Sequence, residues 1–354
     1  MIRAGLQAAV LALASVALCV GSTAAALPDG PQLTLLEYRE GPARTALFSS
    51  SVGAPGEEKI VTGTLRRPPL PYPFVPPSWS PDGTLLVYTA DVGRKHNRHL
   101  RTKVFIVRAD DSSARPVVGS EGGWYPVFSP DGQTIAFGKR KQVWRPKKGG
   151  GERLVYQSES AWLAYLDGGA PRQLTPWRDH LAFTPSSFSP DGKTLAMTRQ
   201  DRGRKVAAVL MDLASRHLTV LARNAIEPTY SPDGTRIAYV GGPRSTFKVG
   251  KTTETTLLTD LFVMKAGGTG MRRLTSTPGV LELAPDWDPS GSHLVYTGIN
   301  HIHTSGGFLG FGDSIVELDL NSGCSRTRFS SPSAVYYGAI WRPGASAGAA
   351  PLNC

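Results

Sequence analysis

Residues 230–239 read YSPDGTRIAY, and this stretch decides the fold of the chain. An aromatic residue precedes Ser-Pro-Asp-Gly, and an alternating apolar run follows. Proline fixes φ at the second turn position, aspartate accepts local hydrogen bonds and glycine takes a positive φ, so the segment predicts strand, tight turn, strand. The motif begins at Ser80, Ser129, Ser189 and Ser231, and a variant begins at Asp288.

The copies repeat at the spacing of a propeller blade. They are separated by 49, 60, 42 and 57 residues, and Trp341, 54 residues after Trp287, begins a degraded sixth copy. Two further short strands are predicted within each unit, for example over 260–265 and 271–274. Four short antiparallel strands per ~40–50 residues are typical of a propeller blade. We therefore predict an all-β fold, a single six-bladed β-propeller with four antiparallel strands per blade.

The last blade requires strands from both ends of the chain. Only 13 residues follow Trp341, whereas three strands are predicted before the first repeat, over 33–38, 45–50 and 59–64. We expect these three to join a C-terminal strand at 339–341. Such closure leaves no open sheet edge.

The repeats resemble those of the TolB-like propellers of cell-envelope proteins. The aromatic-Ser-Pro-Asp-Gly segments carry the likeness, together with 261–264 and 271–275, and it covers nearly all of residues 33–342. The resemblance implies an extracytoplasmic protein-binding propeller rather than one defined reaction. TolB carries an additional α/β domain before its propeller, whereas here only about 50 residues lie between the cleavage site predicted after Ala26 and Trp79, and the strand count uses them.

The N-terminus is typical of a secretory signal. A positive start at Arg3 precedes an apolar run over 6–20, and Ala24-x-Ala26 predicts cleavage after Ala26. We predict a signal peptide over 1–26 and the propeller over 27–354, with no transmembrane segment in the mature chain. An uncleaved anchor and a lipoprotein formed at Cys19 are the alternatives.

The two cysteines of the mature chain, Cys324 and Cys354, are predicted to form a disulfide, since an exported protein meets an oxidising compartment. Two free thiols are the alternative.

Composition and motifs favour a binding protein over an enzyme. The chain is 40% hydrophobic and 19% charged, which is typical of a folded protein. It lacks the H-E-x-x-H, P-loop and C-x-x-C motifs, and we predict no cofactor. His301 and His303 project from one side of an extended segment, as metal ligands do, so a metal-dependent enzyme, for example a lyase for acidic sugars, is the alternative.

Positive charge is concentrated in four predicted loops that the blade pattern places on the face opposite the Ser-Pro-Asp-Gly turns, called here the cationic loop face. Residues 90–102, 138–153, 199–205 and 241–254 hold 18 basic and four acidic residues, a net +14 against +11 for the whole chain. A surface of nearly one sign is more than solubility requires and attracts anionic partners. The predicted ligand-binding residues are Arg94, Lys95, Arg98, Lys139, Arg140, Lys141, Arg145, Lys147, Lys148, Arg202, Arg204 and Lys205, together with Phe308 and Phe311 on a glycine-rich loop.

These observations predict an exported, non-enzymatic binding or scaffold propeller of the cell envelope or exterior. The expected partner is an anionic envelope polymer or an acidic protein surface. Nucleic acid is not expected in this compartment, and we predict a monomer. A scaffold whose charge serves only solubility is the remaining alternative.

Overall fold

The computed structural model describes residues 32–39, 44–51, 57–61, 75–94, 100–109, 114–203, 205–249, 252–257, 259–278, 280–300, 314–330, 334–343, 351–352 and 354. These residues form strands and turns and contain no helix, so the all-β prediction is confirmed for this part of the chain. It follows that no helix in the described ranges is long and apolar enough to cross a membrane.

The described residues contain 26 strands. In chain order they are β1 (Gln32–Arg39), β2 (Arg44–Ser51), β3 (Glu57–Val61), β4 (Ser78–Trp79), β5 (Leu85–Arg94), β6 (Leu100–Arg108), β7 (Arg115–Pro116), β8 (Gly123–Phe128), β9 (Thr134–Pro146), β10 (Glu152–Tyr165), β11 (Arg172–Gln173), β12 (Ala182–Phe188), β13 (Thr194–Gln200), β14 (Val206–Asp212), β15 (Leu218–Arg223), β16 (Ala225–Tyr230), β17 (Arg236–Gly241), β18 (Arg244–Val249), β19 (Thr252–Leu257), β20 (Asp260–Lys265), β21 (Arg272–Arg273), β22 (Val280–Trp287), β23 (His293–Asn300), β24 (Ser314–Asp319), β25 (Ser325–Ser330) and β26 (Ala334–Trp341).

The strands form antiparallel meanders of four. Three separate sheets have the orders β4-β5-β6-β7, β16-β17-β20-β21 and β22-β23-β24-β25. The meanders β8–β11 and β12–β15 merge into one larger sheet through a single parallel residue pair, Glu159 with Ala182. A further sheet has the order β26-β1-β2-β3, so the C-terminal strand pairs with the first described strand as the sequence predicts.

The Ser-Pro-Asp-Gly turns have the predicted chemistry. In the turn at Ser129, the Gly132 N–H donates to the Ser129 carbonyl at 2.9 Å, and the Ser129 hydroxyl donates to Asp131 at 2.5 Å. The Asp131 carboxylate also accepts the Gln133 N–H at 2.9 Å. Gly132 has a φ of 68°. Such hydrogen bonds lower the pKa of the turn aspartates, in the case of Asp233 to about 2.

Six core clusters link neighbouring meanders in a cycle. Each cluster combines buried residues from two meanders that follow one another, and the cycle closes because Ile340 of β26 packs with Trp79, Leu86 and Tyr88 of the first meander. The other pairs are represented by Val104 with Phe137, Leu163 with Phe183, Ala208 with Ile237, Val240 with Leu294, and Val295 with Leu35.

Arg342 reinforces the contact between the two ends. Its guanidinium lies 4.7 Å from the centre of the Trp79 ring and donates to the Gly83 carbonyl at 2.7 Å and 3.0 Å. Trp79 also donates its indole N–H to Thr34 of β1 at 3.0 Å. The first meander is therefore bound to both strands that close the sheet at the chain ends.

Two segments that the sequence assigns to loops are strands. Within 138–153, β9 continues to Pro146 and β10 begins at Glu152, leaving only residues 147–151 as a turn. The β-branched and aromatic residues of this segment, such as Val143 and Trp144, favour strand despite the neighbouring charges. Within 241–254, β18 and β19 form an additional hairpin between β17 and β20.

Candidate functional site

All six aromatic-led segments line one cavity. Its volume is about 450 Å³, and the prolines of five turns, Pro81, Pro130, Pro190, Pro232 and Pro289, contribute to its wall. The cavity therefore lies on the Ser-Pro-Asp-Gly face, where the innermost strands converge.

The strands around the cavity carry a repeated backbone distortion. The third residue before the aromatic has a positive φ in four segments: Tyr125 (50°), Glu227 (54°), Ala284 (52°) and Gly338 (61°). The pairing register shifts at the same place, for example between Ile226 and Thr229. Bulges of this kind change the direction of side chains and are frequent beside functional sites.

Two carboxylates, Glu227 and Asp286, line the cavity. Glu227 accepts the Ala284 N–H at 2.6 Å, and Asp286 accepts the Trp341 N–H at 2.8 Å. Desolvation raises the pKa of both groups, in Asp286 to about 7. The hydrogen bonds lower these pKa values, but by less than desolvation raises them. The cavity wall thus holds two carboxyl groups whose pKa values burial raises above the ordinary range.

Sequence reasoning missed these two acids. The signal that could have found them is a proline two residues before the aromatic, at Pro77, Pro126, Pro228 and Pro285. The repetition of this proline marks the bulged position, and residues beside it face the cavity.

At the opposite end of β9, the chain forms a protruding cationic ribbon, defined here as residues 141–157 of β9, β10 and their turn. The base of β9 pairs with β8 only as far as Lys139, and beyond this point β9 and β10 pair with each other. Because β9 begins beside a Ser-Pro-Asp-Gly turn and runs for 13 residues, about 40 Å at 3.3 Å per residue, the ribbon tip is far from the cavity.

Five cations of the ribbon are exposed: Lys141, Arg145, Lys147, Lys148 and Arg153. Within the described part of the chain, none of their side chains makes an ion pair or hydrogen bond. Their charge is consequently available to a partner. Gly149, Gly150 and Gly151 at the tip all have positive φ and open space around them.

Aromatic rings hold three cations at the base of the ribbon. Lys139 lies 5.0 Å from the centre of the Trp162 ring, Arg140 lies 4.2 Å from that of Trp124, and Lys141 lies 5.9 Å from that of Tyr156. Arg140 also pairs with the buried Glu159 at 3.4 Å, so its charge is partly compensated.

Some of the remaining predicted residues lie on other strands and loops, and the others lie outside the described residues. Arg202 and Lys205 are exposed between β13 and β14, and Arg202 lies 3.9 Å from Asp179. Arg94 is the last residue of β5. Outside the described residues lie Lys95, Arg98, Arg204, His301, His303, Phe308 and Phe311. Among the described residues, no group of three potential metal ligands occurs.

Cys324 and Cys354 form a disulfide, with their Cα atoms 5.2 Å apart. Nearby, the Leu352 N–H donates to Asp319 at 3.1 Å. The C-terminal residues are therefore attached to the meander β22–β25, which precedes the sheet β26-β1-β2-β3.

The meanders and the cavity that their innermost strands share define the class of protein as a β-propeller. The structure of TolB from Acinetobacter baumannii is similar, with a TM-score of 0.63 and 17% identity, covering 88% of this chain and 67% of that one. A chain of the nidogen/laminin complex has a TM-score of 0.55 and 11% identity, covering 88% and 98%. These likenesses concern the fold alone.

Sequence comparison finds relatives that are named TolB. No protein-family model matches the chain. It is 37% identical over 124 residues to the Tol-Pal system protein TolB of Anaeromyxobacter dehalogenans (strain 2CP-C), covering 34% of this chain and 25% of that protein. It is 25% identical over 187 residues to the protein TolB homolog of Chlorobium luteolum (strain DSM 273 / BCRC 81028 / 2530), covering 50% and 36%. The chain thus matches about a quarter to just over a third of the length of these relatives, and it is similar to the TolB-like β-propellers.

Proposed function

We propose that this protein is an exported binding propeller of the cell envelope that engages an anionic partner through its cationic loop face. The observation that carries the proposal is the set of five exposed, uncompensated cations on the protruding ribbon. A cationic projection of this kind raises the rate at which an anionic partner associates. The TolB-named relatives support a partner-binding role in the envelope.

The proposed organisation is a signal peptide over 1–26 and one six-bladed propeller over 27–354, present as a monomer. Six four-stranded meanders and six core clusters that link them in a cycle support the blade count. The pairing of β26 with β1 supports closure of the last blade by both chain ends.

The ring contacts of Lys139, Arg140 and Lys141 support binding over a charge that serves only solubility. Solvated charges need no aromatic partner, whereas these three cations each lie against a ring. Such contacts fix the position of the charged group and reduce the entropy that binding costs.

The cavity supports a second candidate, recognition of a partner segment on the Ser-Pro-Asp-Gly face. Its mostly apolar wall and the carboxylates of Glu227 and Asp286 suit a segment that carries a hydrogen-bond donor or a cation. Glu227→Gln and Asp286→Asn would weaken binding of that segment to the cavity without altering binding at the ribbon.

Elution from immobilised heparin tests the first proposal. The five-fold variant replaces Lys141, Arg145, Lys147, Lys148 and Arg153 with Glu, a change of ten charge units. The control replaces five exposed cations elsewhere with Glu: Arg115, Lys193, Arg223, Lys265 and Arg272. We expect the control to elute with the wild type and the five-fold variant to elute at much lower salt. Similar elution of wild type and five-fold variant would refute the proposal.

A further inference from the structure

The two faces of the ribbon differ in charge. Paired residues of antiparallel strands lie on the same face, and alternate residues of one strand lie on opposite faces. Lys139, Lys141, Val143 and Arg145 therefore share one face of β9. Arg153 lies on the same face because it pairs with Arg145, and Tyr156 does so because it pairs with Val143.

The opposite face holds the acids. Arg140 and Gln142 alternate with the cations just named, and Glu159 pairs with Arg140 while Glu152 pairs with Pro146. The first face thus carries four cations and no carboxylate from either strand. These four cations are called here the cationic row: Lys139, Lys141, Arg145 and Arg153. Asp179 lies at the edge of β10, where it accepts the Gln157 N–H at 3.2 Å.

Aromatic rings flank the lysines of the cationic row. Trp162 lies beside Lys139, and Tyr156 lies beside Lys141. Trp177 packs against Trp162 with ring centres 6.4 Å apart, and both rings are partly exposed. Rings of this kind offer an apolar surface with a polar edge, while the cations provide ionic contacts.

We propose that the cationic row binds a linear acidic glycan, a chain of sugar rings bearing carboxylate or phosphate groups; this inference rests on the proposed function and names its ligand. From Lys139 to Arg145 the row extends about 20 Å along one strand, which suits an extended chain. The sugar rings pack their C–H faces on Tyr156 and the neighbouring indoles. Their acidic groups contact Lys141, Arg145 and Arg153.

Other anionic partners fit the row less well. A bilayer would meet the ribbon through its tip, where Lys147 and Lys148 lie, and would not need rings on a side face. An acidic peptide would contact the cations through its carboxylates and would need no ring on this face. The combination of rings and cations on one face is the property that only the glycan uses in full.

The test compares four probes with the full mature chain: alginate oligomers, inorganic polyphosphate, poly-glutamate and phosphatidylglycerol vesicles. Tyr156→Leu removes the ring and keeps the charge. We expect it to weaken alginate binding roughly five- to tenfold and to change polyphosphate binding less than twofold. The triple variant Lys141→Glu, Arg145→Glu, Arg153→Glu should lose both ligands, whereas Arg115→Glu, Arg223→Glu, Arg272→Glu should retain both.

The outcomes separate this inference from the proposed function. If the triple variant loses polyphosphate but Tyr156→Leu affects alginate and polyphosphate equally, the ligand is an anion without a required sugar ring, and the inference is wrong. Tighter wild-type binding to poly-glutamate or to vesicles than to alginate also overturns it. If the triple variant and its control bind every probe alike, the cationic ribbon itself has no binding role and the proposed function fails as well.

Discussion

The carboxylate of Asp286 joins two neighbouring sheets through one hydrogen bond. It lies on β22, and the N–H that it accepts belongs to Trp341 of the closing strand β26. A similar contact recurs where Ser78 accepts the Phe128 N–H at 3.2 Å and where Ser187 accepts the Tyr230 N–H at 3.2 Å. Each of these acceptors precedes an aromatic residue by one position, so this hydrogen bond is part of the repeat.

Asp286→Asn should reduce the dependence of stability on pH. The ordinary aspartate pKa is 3.8, and in the folded protein desolvation raises the pKa of Asp286 to about 7. Between these values the native state holds an extra proton, so the free energy of unfolding decreases as pH rises from about 4 to about 7 and stays lower above. Asparagine can accept the Trp341 N–H without ionising.

Urea unfolding at pH 5 and pH 8 measures the effect. We expect the variant to lose less stability than the wild type between these values and to be the more stable protein at pH 8. Equal losses in both proteins would contradict the raised pKa of Asp286.

At the scale of elements, the ribbon is separable from the sheet that bears it. Replacing residues 143–156 with Asn-Gly would join the paired residues Gln142 and Gln157 through a two-residue hairpin turn. Because residues 143–146 pair only with residues 152–156 of β10, we expect the melting temperature to change by only a few degrees. Binding to heparin should be lost. Retained binding, measured by column elution, would place the working surface elsewhere.

The sequence predicts strands and turns best where the repeat imposes both. The aromatic-Ser-Pro-Asp-Gly turns and the strand β20 (Asp260–Lys265) agree with prediction because turn chemistry and alternation act locally. The sequence predicts a loop at the ribbon because glycines and charges conceal the strand pattern. The cavity carboxylates Glu227 and Asp286 lay beyond prediction because convergence of six strands, rather than local sequence, brings them together.

At the scale of the whole molecule, closure depends on the C-terminal strand. Deleting residues 335–354 removes most of β26 and exposes the edge of β1. It also removes Ile340 and Trp341 from two core clusters. We expect this truncation to unfold far below the melting temperature of the mature protein, or not to fold.

A shorter truncation provides the control. Deleting residues 345–354 keeps β26 but removes the disulfide, which closes a loop of 30 residues and contributes roughly 3–4 kcal/mol in the chain-entropy account. Cys324→Ser with Cys354→Ser should resemble this shorter truncation. If the longer truncation is as stable as the shorter one by thermal melting, the ring is not closed by β26.

The measurement that tests the central claim most directly is the salt dependence of polyanion affinity. Heparin fragments would be titrated into the mature protein, the five-fold ribbon variant and the five-fold control across about 50–300 mM salt, where screening between exposed charges becomes strong. The account predicts a steep loss of affinity with salt for the wild type and the control, and weak, nearly salt-independent binding for the ribbon variant. Equal slopes and affinities for all three proteins would contradict it.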